Sequence, residues 1–359
     1  MKKQIIFCII YICLLLAPAF TMNIEKNAIS EIDNTYLPEF TFDLNNLEEI
    51  GTYVEKRIGG RNEMILAYEV FNDRVFNILV HPSYMYGQDK WVYFNTTASV
   101  NDYLRINIDE EYARDFAEYI STLSAITEEN DATFLYILCV DKKTIYPEHY
   151  VQGLNPRNNI SRTDAILNAI SETGINYMCA RDRLLVAKEN GLQVYNQKYD
   201  AGHWNEDGAF LVCQDIYTNL RQFNQSIPML KKENYNIGTI TEECLISSEF
   251  RIDEVVPYYE NKTVNAVIDT TYDNCVPGEV VAFKRYVNDS VDAPKILIFR
   301  DSYIDMVSKF FVENFSETTF ASHGNLTSIE DFEEYLRIFQ PDIVLFENVE
   351  RVLPLEILE

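Results

Sequence analysis

A serine hydroxyl is a weak nucleophile at neutral pH unless a base takes its proton, and an imidazole serves best when a carboxylate fixes its tautomer. Two short stretches of this chain hold those three residue types. Tyr199-Asp200-Ala201-Gly202-His203-Trp204-Asn205 sets a carboxylate three residues before an imidazole, so the chain can turn back onto one ring nitrogen. Gly202 permits the tight backbone this needs. Ser302 follows the apolar run Ile296-Leu297-Ile298-Phe299 and then Arg300-Asp301, and precedes an amphipathic stretch. That pattern predicts strand, turn and helix. A side chain at such a junction emerges at the carboxyl edge of a sheet, beside N–H groups able to hold a developing oxyanion. The chemistry these residues suit is acyl transfer, with Ser302 as nucleophile, His203 as general base and Asp200 as its orienting partner. Taken singly, each motif has a plainer reading: Asp301-Ser302 as an N-cap, His203 as a hydrogen-bonded loop residue, Trp204 as a core anchor. The pair matters more than either member.

Little else competes for that role. The chain has only four His, and it contains neither a CxxC pair nor an HExxH, so a dedicated metal site is not expected. His323 lies near the serine in sequence but has no carboxylate at helpful spacing, and it reads as structural. His81 and His149 have no chemical context, and Trp91 reads as core rather than as a sugar platform. The first oxyanion donor is the backbone N–H of Ser302, with Gly324-Asn325 as a competing source.

The elements that must position these residues follow a regular rhythm. Arg61–Asn77 carries apolar residues at helical spacing, and Trp91–Phe94 reads as a short strand after a Gly87-Gln88-Asp89 turn. Asn107 or Asp109 can cap a helix whose buried stripe is Ala113, Phe116, Ala117, Ile120 and Leu123. Thr133–Val140 is continuously apolar, as a strand covered on both faces should be. Ser161 to Asp164 resembles a capping box, and Gly174 ends the helix it opens. A strand over Ile175–Cys179, a helix over Arg181–Asn190 closed by Gly191 and a helix over Asn205–Phe223 follow. Residues 225–295 look like short β-strands inserted between two α/β halves. The alternation then returns: strand Ile296–Phe299, helix Tyr303–Phe315, strand Thr318–Ala321, helix Ser328–Phe339 and strand Ile343–Phe346. Repeated βα units predict a mostly parallel, flavodoxin-like sheet with helices on both faces and an inserted β-rich segment.

Composition sets the wider bounds. Hydrophobic residues make up 47% and charged residues 24% of the 359, which excludes a disordered or fibrous chain. The formal net charge of −26, with no local Lys/Arg cluster, makes nucleic acid an improbable partner. Lys2 and Lys3, the apolar run Ile5–Leu16 and Ala17-Pro18-Ala19 describe residues 1–22 as a signal peptide or a membrane anchor. Either way the remainder is expected outside the cytoplasm, secreted or held at the membrane. Residues 23–60 read as a linker and entry segment, and 61–359 as one domain. Cys244 and Cys275 could close a loop, which sequence leaves open.

Several motifs in one order resemble a known group. Gly87 to Phe94 is similar to a Gly-x-x-Gly-Trp-Leu-Phe segment, and Asn101-Asp102-Tyr103 follows where an Asp-Tyr occurs. Asp141 to Glu148 is similar to a Pro-x-Lys-x-x-Ile-Tyr-Pro-Glu element. Asp200, His203 and Trp204 resemble an Asp-x-His-Trp signature, Asp301-Ser302-Tyr303 a Gly-Asp-Ser-Phe, and Pro341 to Arg351 completes the set. Between about Trp91 and Arg351 the chain thus resembles the alginate O-acetyltransferase group (AlgJ and AlgX, with the DHHW relatives) of the SGNH hydrolase-like superfamily. The resemblance implies an acyl-serine on Ser302, with His203 and Asp200 as base and partner. It also implies transfer of acetyl to an exopolysaccharide or cell-wall glycan, with a membrane-bound O-acyltransferase as donor, and no cofactor. Asn348 stands where such proteins place a side-chain amide for the oxyanion, and Arg300 and Trp204 are the candidate substrate contacts. Three positions depart from the pattern. The Asp–His spacing is one residue longer, Arg300 replaces a Gly, and Asp141 replaces a Pro.

Overall fold

Thr133–Cys139 can be apolar at every position only if both faces of the strand are covered, and they are. In the computed structural model, which describes residues 2–30, 35–40, 47–106, 108–246, 250–273, 275–277 and 283–352, this strand lies inside a seven-stranded sheet. In chain order its strands are β1 (Thr133–Cys139), β2 (Tyr177–Cys179), β3 (Val267–Ile268), β4 (Lys284–Val287), β5 (Lys295–Arg300), β6 (Glu317–Ser322) and β7 (Ile343–Val349). In space they run β2-β1-β7-β5-β6-β4-β3. The first five in that order are parallel, and β4 and β3 add on antiparallel at one edge. The sheet is therefore antiparallel at one edge and parallel over its other five strands.

Side-chain alternation sorts the core into two layers. Leu135, Ile137, Ile296, Ile298 and Leu345 face the helices Ala180–Glu189 and Glu206–Phe223 and the segment after Ser302. Phe134, Tyr136, Leu138, Leu297, Phe299 and Phe346 face the helices Glu110–Glu129, Arg162–Thr173 and Ile329–Phe339. The stripe expected on Glu110–Glu129 is buried throughout. Asp109 caps that helix through the N–H groups of Glu111 and Tyr112, whereas Asn107 lies outside the described residues. Ser161 and Asp164 form the reciprocal capping box, and Gly174 closes its helix at φ 77°.

Residues 225–295 hold strands of two kinds, and the helix expected after Ser302 needs correction. Tyr235–Cys244 and Arg251–Asn261 pair as a separate ribbon, but β3 and β4 extend the central sheet itself. The helix expected over Tyr303–Phe315 is regular only for Ser302–Asp305, followed by a 3₁₀ turn at Ser308–Phe310. The segment is rich in Phe, Val and Ser, which favour a helix weakly. The Phe310 carbonyl is taken instead by the Tyr217 hydroxyl (2.7 Å) and the Asn314 amide (3.1 Å). Packing of Phe310, Phe311 and Phe315 into the core decides the path.

The chain divides into two compact units, Met1–His81 with Cys244–Ile252, and Pro82–Glu243 with Asp253–Glu359. The first holds helices over Lys2–Phe20, Leu47–Arg57 and Arg61–Phe76. Its buried Arg57 donates to the carbonyls of Asn23, Glu25, Leu37 and Pro38 at 2.7–3.3 Å. No helix among the described residues is long and apolar enough to cross a membrane. The second unit carries the whole sheet and both core layers. Among the described residues the cysteines form no disulfide.

Candidate active site

The carboxyl ends of β1, β5 and β7 meet at one rim. Asp301 and Ser302 follow β5, Asp141 and Lys142 follow β1, and Glu350 and Arg351 follow β7. Over this rim passes the loop of residues 190–205, whose Gly202 carbonyl accepts from the Lys142 N–H at 3.1 Å and from the Tyr303 hydroxyl at 2.7 Å.

That crossing brings together the three residues singled out in the sequence. His203 Nε2 lies 2.8 Å from Ser302 Oγ, and His203 Nδ1 lies 2.8 Å from Asp200 Oδ2. The other Asp200 oxygen accepts the N–H groups of Gly202 and His203, each at 2.8 Å. Burial falls toward the nucleophile: Asp200 is 1% exposed, the His203 side chain 13%, and Ser302 faces solvent. The extra residue in the Asp–His spacing is used up by this turn. Gly202 is needed for space rather than for backbone freedom, because a Cβ there would stand 2.3 Å from the Phe94 ring.

Electrostatics suit the same roles. Burial pushes the Asp200 carboxyl up, but the His203 ring and the two N–H donors outweigh it and hold Asp200 below its usual value. Burial pushes His203 down, but the charge of Asp200 and its hydrogen bond hold the imidazole above its usual value. An imidazole so held is a better base, oriented with Nε2 toward the hydroxyl.

The turn that carries Ser302 is itself braced. Asp301 accepts from the N–H of Tyr303 and of Val349, each at 2.8 Å, and its own N–H donates to Glu347 Oε2 at 3.1 Å. Glu347 is fully buried, and burial with the neighbouring Asp301 charge pushes its carboxyl well above the usual range. The Tyr303 hydroxyl also reaches Asp141, which pairs with Arg351.

Other expected site residues are elsewhere. Asn348 does not face the nucleophile. β7 runs three residues further than expected, and alternation turns Asn348 to the opposite layer, where its Oδ1 accepts from Tyr136. Both of its N–H donors are taken by the Val349 and Val352 carbonyls. Arg300 is buried and paired with Asp305 at 2.9 Å rather than presented to a ligand. Trp204, 2% exposed, packs edge-on against Tyr303 and cannot touch a glycan. The Gly324 N–H donates to Ser322, and Asn325 is buried. His323 is buried and stacked on Phe346, and burial lowers its pKa. Trp91 is core, with His149 stacked on it. Asp102, Asp141 and Glu350 are close enough to share a cation, but the Lys143 ammonium already sits among them at 2.8, 2.5 and 3.6 Å.

Sequence reasoning missed Glu254 and Lys142. Glu254 accepts the N–H groups of Gln197, Lys198 and Tyr199 at 2.6–2.7 Å, and Lys142 is buried beneath the same turn. The one hint of Lys142 was its place in the charged run Asp141-Lys142-Lys143 at the end of an apolar strand.

Comparison with known proteins bears on the fold. Residues 85–245 match the family described as SGNH hydrolase-like domain, acetyltransferase AlgX. No curated protein matches the chain. Among solved structures, Bacillus cereus PatB1 with a sulfonyl adduct is similar at 15% identity and TM-score 0.55, covering 75% of this chain and 94% of that one. A DHHW family protein from Eubacterium siraeum is similar at 14% identity and TM-score 0.51, covering 76% and 93%. The O-acetyltransferase domain of Pseudomonas putida AlgJ is similar at 12% identity and TM-score 0.51, covering 77% and 94%. At these identities the structures speak to fold. The resemblance of this chain to the AlgJ and AlgX group of the SGNH hydrolase-like superfamily is thus borne out, in the family match and in the architecture.

Proposed function

We propose that the protein is an exported O-acetyltransferase that moves an acetyl group onto a cell-surface or secreted polysaccharide through an acyl-Ser302 intermediate. One observation carries the reading: a buried carboxylate, an imidazole and an exposed hydroxyl are joined in series by contacts of 2.8 Å. As Ser302 Oγ attacks the acetyl carbonyl, its proton passes to His203 Nε2, and the oxyanion meets the Ser302 N–H. Collapse expels the donor's leaving group, which takes the proton from His203. A sugar hydroxyl then gives its proton to His203 and attacks the acyl-serine, restoring the free enzyme. Asp200 stabilises the imidazolium in both halves.

The exposed serine suits a polymer acceptor, and a chain of net charge −26 suits neither nucleic acid nor an anionic surface. The apolar N-terminal run supports export, and a membrane-bound O-acyltransferase is the donor that fits the group. Exposure of Ser302 also favours a second reading, a carbohydrate esterase, since transfer requires water to be kept from the intermediate. A third reading, a catalytically silent glycan-binding protein on the same fold, would draw on Arg300 and the longer Asp–His spacing, but Arg300 pairs with Asp305 and the spacing still yields both contacts.

The test is to incubate the protein with 4-nitrophenyl acetate and weigh the peptide that contains Ser302. An added acetyl, absent in Ser302→Ala and slowed by orders of magnitude in His203→Ala, is expected. A folded protein with no adduct and no turnover overturns the reading. Release of the acetyl to added oligosaccharide rather than to water separates transferase from esterase.

A further inference from the structure

Lys142 takes no part in the steps above, yet it is fully buried at the rim that bears them. Its ammonium donates to three main-chain carbonyls of one turn: Asn196 at 2.8 Å, Gln197 at 3.4 Å, and Asp200 itself. The rings of Trp91 and Tyr93 close over it at 5.8 and 5.4 Å. Its backbone N–H binds Gly202 from below, while its neighbour Lys143 points away to Asp102, Asp141 and Glu350. The charged groups facing Lys142 are the carboxylates of Asp200 and Glu254 and the ring of His203. An ammonium has three N–H donors, and three acceptors meet it. Glu254 grips the same turn from its N–H side, so the segment carrying Asp200 is held by both kinds of backbone group.

We propose that the Lys142 ammonium is a positioning residue for acyl transfer, fixing the Asn196–Asp200 turn so that the Asp200 carboxylate stays in line with His203. The inference rests on the reading that Ser302 is acylated. It also sets a direction with pH. Burial pushes Lys142 down to about 7, against the pull of Asp200 and Glu254, so the ammonium is lost as pH rises past neutrality. The neutral amine has two donors for three carbonyls. Activity therefore has two limbs: it rises as His203 loses its proton and falls as Lys142 loses its own.

The experiment follows acylation of the full chain by 4-nitrophenyl acetate from about pH 5.5 to 9.5, corrected for spontaneous hydrolysis, with the Ser302 adduct read by mass. Wild type should give a bell. Lys142→Arg, which keeps charge and donors at every pH in this range, should keep the acid limb and lose the alkaline one. Lys142→Met should run flat on the alkaline side at the rate to which wild type falls, roughly tenfold or more below its maximum. Three outcomes overturn the proposal while leaving acylation intact: a wild-type profile with no alkaline limb, the same alkaline limb in both variants, or a folded Lys142→Met at full rate. Absence of any Ser302 adduct in wild type overturns acylation and the proposal with it. If Lys142→Met fails to fold, by circular dichroism, Lys142→Arg against wild type still decides.

Discussion

At His203 two opposing effects meet: burial favours the neutral ring, and Asp200 favours the charged one and wins. The balance gives a prediction. The base must be neutral to accept the Ser302 proton, so acylation is lost as pH falls through the raised His203 value. Asp200→Asn keeps the burial and removes the charge. The acid limb should then move to lower pH while the maximum rate drops by about 10⁴-fold, because the amide cannot hold the working tautomer. Rate profiles on 4-nitrophenyl acetate read both changes; a limb that stays put would remove Asp200 from the base's electrostatics. Glu347 offers a second test, in stability. Its folded value lies above its ordinary 4.5, so the protonated form contributes stability fully below that pH, and the contribution is lost as pH rises from there. Glu347→Gln keeps a neutral side chain of the same shape, so its advantage over wild type in urea unfolding should grow between pH 4 and 7. Residue type and spacing made Ser302, His203 and Asp200 legible. Glu347 and Lys142 were not, because a charged side chain reads as solvent-facing until packing buries it. Asn348 was misplaced for a related reason: one face of β7 serves the nucleophile turn and the other does not, and the strand's true end decides which.

The loop that delivers Asp200 and His203 is fixed by what lies beneath it. The Gly202 carbonyl is pinned by Lys142 and Tyr303, and its Cα faces Phe94 with no room for a methyl group. Gly202→Ala must move either the Phe94 ring or the loop. Overpacking of this kind costs about 1–3 kcal/mol, and a shift of about 1 Å at the triad costs about 10²-fold in rate. Adding Phe94→Leu should return part of both, measured by thermal unfolding and by Ser302 acylation. Full activity in Gly202→Ala alone would mean that the loop does not need this contact. Sequence indicated a tight turn here but assigned the glycine to backbone freedom, since only the fold shows which ring arrives opposite it. The helix expected after Ser302 failed in the same way. Its apolar spacing was helical, but the Tyr217 hydroxyl and the Asn314 side chain claim the Phe310 carbonyl that a continuous helix would need.

For the whole molecule, 56 acidic side chains against 30 basic ones make self-repulsion a standing cost. Two populations of charge respond differently to salt. Lys143, Asp102, Asp141, Glu350 and Arg351 pair with one another in the second unit with little side-chain exposure, where salt screens them less than it does surface charges. The surplus carboxylates are spread over the surface, where the Debye length falls from roughly 30 Å at 0.01 M to about 8 Å at 0.15 M salt. Exposed ion pairs such as Glu334–Arg337 lose some attraction on the way, but solvent already leaves them little to lose. The screened repulsion should therefore outweigh the screened attraction, and the melting temperature should rise by a few degrees between those two NaCl concentrations. Lys143→Met should behave differently. Removing the ammonium leaves buried carboxylates facing one another, at a cost of about 3–5 kcal/mol, and salt should not restore it. A melting temperature that falls with salt in wild type, or a Lys143→Met defect that salt repairs, would place the governing charges at the surface instead of in the cluster beside the candidate site.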